Sequence, residues 1–267
     1  MTDERALLAP FLDRPRDAGI VLDFDGTLAP IVDAPAAAHL AAGAAEALTA
    51  VDRRFALVAV LSGRPVDFLR TVVPEGITLC GLYGLEVLRA GSRHDHPGAG
   101  AWREAVADVA RSSVDCGPSG MDVEEKGLSL TLHYRRHPEA AGAVEAWARQ
   151  QATRSGLEAR GAKMSVELHP PLAIDKGTAL EELAGDLEAV CFVGDDRGDL
   201  AAFEALDRLA GRGAHVLRVA VGGAEAPPEL VQRADLVLDG PDAVVGFLRS
   251  LVPETSPYPG TDAAPDR

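Results

Sequence analysis

The chain has few cysteines, few lysines and no long apolar segment. Its 267 residues include three cysteines, and an odd number without a C-x-x-C spacing argues against both a disulfide framework and a redox motif. No segment approaches the roughly 18 consecutive apolar residues that a membrane-spanning helix needs. Residues 1–5 lack the pattern of a secretory signal peptide. We therefore expect a cytoplasmic protein with reduced thiols and no membrane partner.

Positive charge is also scarce, and arginine supplies most of it. The formal net charge is −15, which argues against nucleic acid and anionic membranes as partners. An anionic small molecule would need positive charge supplied locally by its binding site. Only three of the 26 basic residues are lysines, and a lysine offers a compact point charge where arginine offers a planar fork. Lys126 and Lys176 lie beside motifs described below, so we treat them as candidate site residues.

Apolar segments alternate with helical patterns along most of the chain. The composition, 47% hydrophobic and 25% charged, is that of a globular protein, and the length allows one large domain or two small ones. The apolar segments are residues 20–22, 55–61, 77–80, 189–193, 216–221 and 236–238. Buried strands that alternate with helices predict a doubly wound, parallel, Rossmann-like sheet.

The pattern changes in the middle of the chain. Three segments there alternate apolar with polar residues, which is typical of antiparallel strands with one dry and one wet face. They cover residues 121–124, 128–135 and 163–169. The alternation changes phase at Glu125-Lys126-Gly127, which predicts a hairpin turn. The predicted wet face carries Ser129, Thr131, His133, Ser165, Glu167 and His169.

These patterns predict two domains. The parallel sheet would belong to a discontinuous core of residues 15–92 and 172–253, and residues 93–171 would form a smaller inserted α+β domain. The glycine-, histidine- and proline-rich residues 91–100 are expected to act as a linker. Residues 254–267 are rich in proline and polar residues and are predicted to be disordered.

Two aspartates follow the first buried strand at once. Alternate side chains of an extended chain share a face, so Asp23 and Asp25 are expected to point the same way, and Gly26 permits a sharp bend after them. Two neighbouring carboxylates raise each other's pKa unless a cation lies between them. An oxygen-preferring ion such as Mg²⁺ is the expected cation. The alternative is a strand that ends in solvated acids.

Further polar turns follow other predicted strands. Ligands of doubly wound sheets bind at the carboxyl ends of the strands, so these turns should meet at one site. The candidate residues in and near the turns are Ser62, Arg64, Glu86, Lys176, Asp195, Asp196 and Asp199. Alternatives remain for several of them: Lys176 could be a solvated helix residue, Asp199 a helix N-cap, and Arg64 a helix cap.

Such a site could transfer a phosphoryl group. Asp23 could attack phosphorus and form an acyl phosphate, while Asp25 protonates the leaving oxygen and then activates water. Mg²⁺ between Asp23 and Asp195 would neutralise charge on the phosphoryl oxygens. Lys176 could screen Asp23, and Ser62 with the following backbone N–H groups could bind another phosphoryl oxygen.

The motifs resemble a known superfamily. Asp23-Phe24-Asp25-Gly26-Thr27, Ser62-Gly63-Arg64, Lys176 and Gly194-Asp195-Asp196 resemble, in order, the four motifs of the haloacid dehalogenase phosphatases. The insertion resembles their C2-type cap. More narrowly, four short strings are similar to those of the trehalose-6-phosphate phosphatase family: Glu125-Lys126-Gly127, His133-Tyr134-Arg135, Val166-Glu167-Leu168 and Asp175-Lys176-Gly177.

The resemblance implies a Mg²⁺-dependent phosphomonoesterase. Its partner would be a small-molecule sugar phosphate, trehalose 6-phosphate. We expect the protein to act as a monomer. It implies that the wet face of the cap sheet closes over the core and binds the sugar. The substrate contacts expected on this basis are Arg64, Glu86, Lys126, His133 and Glu167. The metal contacts expected are Asp23, Asp25, Asp195, Asp196 and Asp199.

Three residues depart from the family pattern, and alternatives remain open. Tyr83 stands where the family usually has histidine, and Gly198 and Leu200 replace threonine and glutamate. Another sugar phosphate, such as sucrose phosphate or mannosyl-phosphoglycerate, is therefore an alternative substrate. Glu167 could be a solvated strand residue and His133 a structural one. A non-catalytic sugar-phosphate-binding subunit is a further alternative, although the catalytic set is present.

Overall fold

The computed structural model describes residues 4–32, 35–162, 164–223 and 226–252. These residues form two β-sheets and nine α-helices. No helix within these ranges is apolar over a length that would span a membrane. The tail predicted to be disordered, residues 254–267, lies outside the described residues.

The strands and helices alternate at both ends of the described chain. In chain order the strands are β1 (Ala18–Leu22), β2 (Leu57–Leu61), β3 (Thr78–Gly81), β4 (Glu86–Arg89), β5 (Ser92–Asp95), β6 (Asp122–Glu125), β7 (Leu130–His133), β8 (Glu158–Ala162), β9 (Ser165–His169), β10 (Ala189–Gly194), β11 (His215–Gly222) and β12 (Leu236–Asp239). The helices are α1 (Glu4–Asp13), α2 (Ala44–Asp52), α3 (Val66–Val72), α4 (Arg103–Cys116), α5 (Ala141–Ser155), α6 (Lys176–Ala184), α7 (Leu200–Gly211), α8 (Pro228–Arg233) and α9 (Gly240–Ser250).

The larger sheet has eight strands in the order β12-β11-β10-β1-β2-β3-β4-β5. The strands from β12 to β3 run parallel, and β4 and β5 add an antiparallel edge. Every residue of β1, β2 and β10 is buried, as expected for parallel strands covered on both faces. The prediction of a doubly wound parallel sheet is confirmed.

Helices cover both faces of this sheet. Ile20 and Leu22 of β1 pack in one apolar cluster with α1, α2, α3 and α9. Val21, between them in sequence, packs in a second cluster with α6, α7 and α8. Successive side chains of a strand point to opposite faces, so β1 joins the two helical layers and fixes the position of the residues that follow it.

The edge of the larger sheet differs from the sequence prediction. A linker was expected over residues 91–100, but Ser92–Asp95 form β5 and pair with β4. Its side chains are exposed and polar, so the sequence carries no apolar signal for this strand. The sheet therefore continues to Asp95, beyond the domain boundary predicted at residue 92.

The smaller sheet has the order β6-β7-β9-β8 and is antiparallel. Three of its strands match the predicted alternating segments, and β8 was missed because its residues are mostly exposed and include Gly161. One face of the sheet packs on α4 and α5 through Leu130, Leu132, Val166 and Leu168. Gly127 has a φ of 80° in the turn between β6 and β7, as the predicted hairpin requires.

The other face of the smaller sheet is turned toward the larger sheet. Most of its polar residues are buried rather than solvated: Ser129, Thr131, Ser165, Glu167 and His169. A cleft of about 1220 Å³ lies between this face and the carboxyl ends of the core strands. The polar face of the smaller sheet therefore lies across the cleft from the turns that carry the candidate catalytic residues.

Candidate active site

Asp23 and Asp195 meet because their strands are neighbours. β1 and β10 pair in parallel, with Leu22 opposite Val193, and the backbone N–H of Asp23 donates to the carbonyl of Val193 at 2.9 Å. Asp195 follows β10 directly. Both side chains line the cleft, as expected at the carboxyl ends of parallel strands.

Lys176 lies at the centre of a buried charge cluster. Its Nζ is 3.0 Å from Oδ1 of Asp23 and 2.6 Å from Oδ1 of Asp199. The side chain of Asp175 accepts the N–H of Thr178 and caps α6, which begins at Lys176. Burial opposes the charge of the ammonium group, but Asp199 and Asp23 hold the pKa of Lys176 well above its ordinary value. Lys176 is therefore not a solvated helix residue.

Asp199 anchors the turn that carries Asp195. Its Oδ2 accepts the backbone N–H groups of Asp195 and Asp196, at 2.8 and 2.9 Å, and its Oδ1 binds Lys176. A Cβ at Gly194 would collide with the Asp199 carboxyl group, so glycine is needed there. Burial raises the pKa of Asp199 to about 6. Asp199 thus fixes the backbone of the loop that carries Asp195.

Three carboxylates form a group that could hold a metal ion. Asp23, Asp195 and Asp199 each offer an oxygen, and these oxygens lie within 4.8 Å of one another. Both oxygens of Asp199 already accept hydrogen bonds, one from Lys176 and the other from backbone N–H groups. Asp23 and Asp195 are therefore the better-placed metal ligands. Gly26, with a φ of 81°, passes so close to Asp195 that any side chain there would collide. Burial, followed by the neighbouring carboxylates, raises the pKa of Asp23 in spite of Lys176, and a cation in this group would relieve that cost.

Asp25 and Asp196 lie outside this acidic group. Arg64 binds both oxygens of Asp25, Nε at 2.8 Å and Nη2 at 2.7 Å. The guanidinium also stacks over Phe68, with Cζ 4.7 Å from the ring centroid. Asp196 is half exposed, and its Oδ1 is 4.0 Å from Lys176 Nζ. Arg64 is therefore a partner of Asp25 rather than a helix cap.

The turn after β2 is held from two sides. Ser62 is buried, and its Oγ accepts the N–H of Arg64 at 3.1 Å. Its carbonyl accepts the N–H of Tyr83 at 3.0 Å. Lys126, from the hairpin of the smaller sheet, donates to the carbonyl of Gly63 at 3.1 Å. The predicted residues Ser62 and Lys126 are thus brought to the same turn from opposite walls of the cleft.

Glu167, on the opposite wall, contacts three polar side chains. Its Oε1 accepts the hydroxyl of Ser129 at 2.9 Å and lies 3.7 Å from Lys126 Nζ. The hydroxyl of Tyr83 also binds Glu167, whose charge, with burial, raises the pKa of Tyr83. Glu167 is only 3% exposed, so it is not a solvated strand residue.

Glu124 is a cleft residue that the sequence interpretation missed. Its Oε2 lies 2.8 Å from His133 Nε2, and both residues line the cleft. Burial opposes the charge of Glu124, but the hydrogen bond from His133 and the charge of Lys126 lower its pKa. The alternation of β6 could have revealed it, because Glu124 pairs with Thr131 on the polar face. The contact favours a supporting role for His133.

Glu86 lies apart from the other candidates. Its Oε2 accepts the N–H of Val66 at the start of α3, at 2.8 Å, and its Oε1 accepts Arg93 Nη2 at 2.7 Å. It is buried, and it is not among the described residues that line the cleft. These contacts favour a structural role for Glu86, which holds the start of α3, over a contact with substrate.

Comparisons with known proteins point to one family. A family model described as trehalose-phosphatase matches residues 21–229. A trehalose-phosphate phosphatase of Mycobacterium avium (strain 104) is 39% identical over 210 residues, which cover 72% of this chain and 52% of that protein. A Mycobacterium tuberculosis protein described as an uncharacterized glycosyl hydrolase is 36% identical over 205 residues, covering 72% of this chain and 15% of the other. The chain therefore spans about half or less of the length of these curated relatives.

Solved structures share the fold. The C-terminal domain of a Candida albicans trehalose-6-phosphate phosphatase superposes with a TM-score of 0.76 and 23% identity, covering 94% of this chain and 97% of that one. A trehalose-6-phosphate phosphatase related protein gives a TM-score of 0.72 and 24% identity over 87% of this chain and 96% of the other. At this level of identity the structures support the fold alone.

Proposed function

The chain belongs to the trehalose-phosphatase family, and from this premise we propose that it hydrolyses trehalose 6-phosphate to trehalose and inorganic phosphate. The observation that carries the proposal is the buried cluster in which Lys176 lies between Asp23 and Asp199, beside Asp195. Buried charges of this kind are costly, and perturbed acids in a cleft are typical of catalytic sites. The cleft is large enough for a disaccharide phosphate.

Asp23 is the proposed nucleophile. Its carboxylate attacks the phosphorus atom, the bond from phosphorus to the sugar oxygen breaks, and an aspartyl phosphate forms. Asp25 gives its proton to the departing sugar oxygen, and its carboxylate then takes a proton from a water molecule that attacks the same phosphorus. Phosphate leaves and Asp23 is restored. Lys176 offsets the negative charge that gathers around Asp23 in both steps.

Arg64 and Asp25 must change partners during this reaction. Arg64 binds both oxygens of Asp25, so Asp25 has to exchange the guanidinium for the leaving oxygen before it can transfer a proton. The phosphate of the substrate offers Arg64 a replacement for the carboxylate, because a guanidinium binds both groups in the same forked geometry. Ser62 and the backbone N–H groups after it are proposed to bind another phosphoryl oxygen.

We propose Mg²⁺ as the cofactor, held by Asp23 and Asp195. The available donors are carboxylate oxygens, with the Thr27 hydroxyl 3.4 Å from Asp195 Oδ1, and such hard oxygen donors fit Mg²⁺ rather than a thiolate- or imidazole-binding metal. When bound, the ion would neutralise charge on the phosphoryl oxygens. Asp199 is proposed to position Lys176 and the Asp195 loop.

Because Ser92–Asp95 belong to the core sheet, the proposed cap that binds the sugar covers residues 96–171, and the proposed core covers residues 15–95 and 172–253. Glu124, Lys126 and Glu167 face the cleft from the cap wall. Carboxylates accept and an ammonium group donates hydrogen bonds, so these residues suit sugar hydroxyls. We expect the enzyme to work as a monomer in the cytoplasm.

Phosphate release from a panel of sugar phosphates tests this proposal. The panel contains trehalose 6-phosphate, sucrose 6-phosphate, mannosyl-3-phosphoglycerate and glucose 6-phosphate, each with Mg²⁺ or with a chelator. We expect the highest kcat/KM with trehalose 6-phosphate, no turnover with chelator and recovery when Mg²⁺ is added back. Preference for another sugar would overturn the substrate. Binding without release under all conditions would favour the non-catalytic alternative.

A further inference from the structure

Three polar residues form a row across the cap sheet. Thr131 on β7 pairs with Glu124 on β6 and with Glu167 on β9, and paired residues of neighbouring strands share a face. Leu130 and Leu132, on either side of Thr131 in sequence, pack in the apolar cluster of the cap, so Thr131 faces the other way. All three members of the row line the cleft.

The two carboxylates of the row have partners, and the hydroxyl between them does not. Glu124 binds His133, and Glu167 binds Ser129 and Tyr83. Thr131 is 4% exposed, and its Oγ1 has no hydrogen-bond partner among the described residues. A buried hydroxyl without a partner destabilises the fold.

The cleft distinguishes Thr131 from other buried polar groups. Within the part of the chain that the structure describes, four buried side-chain nitrogens and oxygens lack a hydrogen-bond partner: Arg54 Nε, Thr131 Oγ1, Gln151 Nε2 and His169 Nε2. Of these four residues, only Thr131 lines the cleft. Valine would have the same shape and a similar preference for strands, so neither packing nor strand propensity accounts for the hydroxyl.

We propose that Thr131 is a specificity-determining residue that hydrogen-bonds a hydroxyl group of a sugar substrate. Ionised Glu124 and Glu167 can only accept hydrogen bonds, whereas a threonine hydroxyl can donate as well. A sugar hydroxyl that donates its proton to either carboxylate still has lone pairs on its oxygen, and Thr131 can donate to them. The row then offers acceptor, donor and acceptor, which complements the neighbouring hydroxyls of a pyranose. This inference rests on the proposed function.

Two substitutions separate binding from folding. Thr131→Val keeps the shape and removes the hydroxyl, and Thr131→Ser keeps the hydroxyl. Loss of one neutral hydrogen bond should raise KM for trehalose 6-phosphate about fivefold in Thr131→Val. Its kcat should stay within about twofold, because Thr131 lies on the wall opposite Asp23. Thr131→Ser should keep the wild-type KM, and an aryl phosphate without sugar hydroxyls should be hydrolysed equally well by all three proteins.

Protein stability provides the second readout. Because the valine variant no longer buries an unpaired hydroxyl, its urea midpoint without substrate should equal or exceed that of the wild type. An unchanged KM in Thr131→Val, with an active wild type, would overturn the inference and leave the proposed function standing. A marked loss of stability in that variant would also overturn it, because the hydroxyl would then serve the fold. Failure of the wild type to release phosphate from any sugar phosphate would overturn the proposed function itself.

Discussion

Lys176 compensates two carboxylates that would otherwise be buried without a counter-charge. Asp23 and Asp199 are both almost inaccessible to solvent, and the ammonium group lies between them. The sequence predicted that Lys176 would screen Asp23. Asp23 follows a predicted strand and Lys176 begins a predicted helix, and both positions lie at the expected ligand-binding edge of the sheet. Its second partner could not be predicted, because the contact with Asp199 depends on how α6 packs beside α7.

Replacement of Lys176 by methionine should destabilise the fold. The variant leaves Asp23 and Asp199 buried without their cation, and the loss of one member of a buried ion pair costs about 3 kcal/mol. Urea denaturation in the absence of metal measures this loss.

A double variant, Lys176→Met with Asp199→Asn, serves as the control for that experiment. The amide at position 199 carries no charge, so part of the loss should be recovered and the two effects should not add. Simple addition of the two single effects would contradict the idea that Lys176 acts through charge compensation.

The choice of leaving group should distinguish the catalytic role of Asp25 from that of Asp23. An aryl phosphate releases a weakly basic phenolate that needs no proton, so Asp25→Asn should still phosphorylate Asp23 with this substrate. The second step needs a base for water and should stall. Rapid mixing should therefore give a burst of about one phenolate per protein molecule, followed by slow turnover. Wild-type steady turnover in Asp25→Asn would exclude Asp25 as the acid and base.

At the scale of elements, the apolar pattern of a strand decided whether the sequence revealed it. β1, β2 and β10 are buried along their whole length, and the strands β7 and β9 alternate, so all of them carry a signal. β5 and β8 are mostly exposed strands made of polar, small or charged residues, and only their pairing identifies them. Glu86 shows the related limit for side chains: its position after a predicted strand suggested a substrate contact, and only the hydrogen bond that it accepts from Val66 points to a structural role.

The hairpin between β4 and β5 contains a residue that does not suit its conformation. Ala90 and Gly91 form the two-residue turn, with φ values of 49° and 77°. Such turns favour asparagine followed by glycine, because asparagine tolerates a positive φ better than alanine does. Ala90 is exposed, so Ala90→Asn should raise the free energy of unfolding by about 1 kcal/mol without disturbing the core.

Urea denaturation with an unchanged m value checks this prediction. Ala90→Val is the matched control, because a β-branched residue fits a positive φ still less well and should lower the midpoint. A stabilising effect of valine, or none from asparagine, would show that the turn does not have this conformation in solution.

His169 should make the cap sheet sensitive to acid. It ends β9, and burial, followed by the charge of Arg160, lowers its pKa below the usual value, although Glu167 and Glu158 act in the opposite direction. The folded state thus binds the proton less readily than the unfolded state. The stability that depends on neutral His169 is fully present above about pH 6.5 and is lost as the pH falls below that value.

His169→Gln should reduce this acid-dependent loss of stability. Urea midpoints measured at roughly pH 5 and pH 8 should differ less in the variant than in the wild type. Replacement of the exposed His94 by glutamine provides the control and should leave the difference unchanged. An equal loss in His169→Gln and the wild type would contradict the assignment.

At the scale of the whole molecule, a strongly acidic chain places six of its 26 basic side chains along the cleft, together with eight carboxylates. The net charge is −15, yet the cleft is lined by Arg64, Lys126, Arg135, Arg136, Lys176 and Arg197 among others. The sequence required that positive charge be supplied locally for an anionic substrate. It could not give the distances, because they arise where two sheets meet, as between Lys126 on the hairpin of the smaller sheet and Gly63 after β2. The ion pair of Arg64 with Asp25 could not be predicted either, because it depends on how the turns after the neighbouring strands β1 and β2 lie beside each other.

The central claim is that Asp23 receives the phosphoryl group with the help of a divalent ion. Phosphate release from trehalose 6-phosphate by Asp23→Asn and by the wild type, with Mg²⁺ and with chelator, tests it most directly. Asp23→Asn leaves Lys176 paired with Asp199 and removes a carboxylate whose pKa is raised by burial, so it should unfold at an equal or higher temperature than the wild type. We expect its turnover to fall by at least about a thousandfold and the wild type to work only with Mg²⁺. Substantial turnover by folded Asp23→Asn, or full wild-type turnover in chelator, would contradict the account.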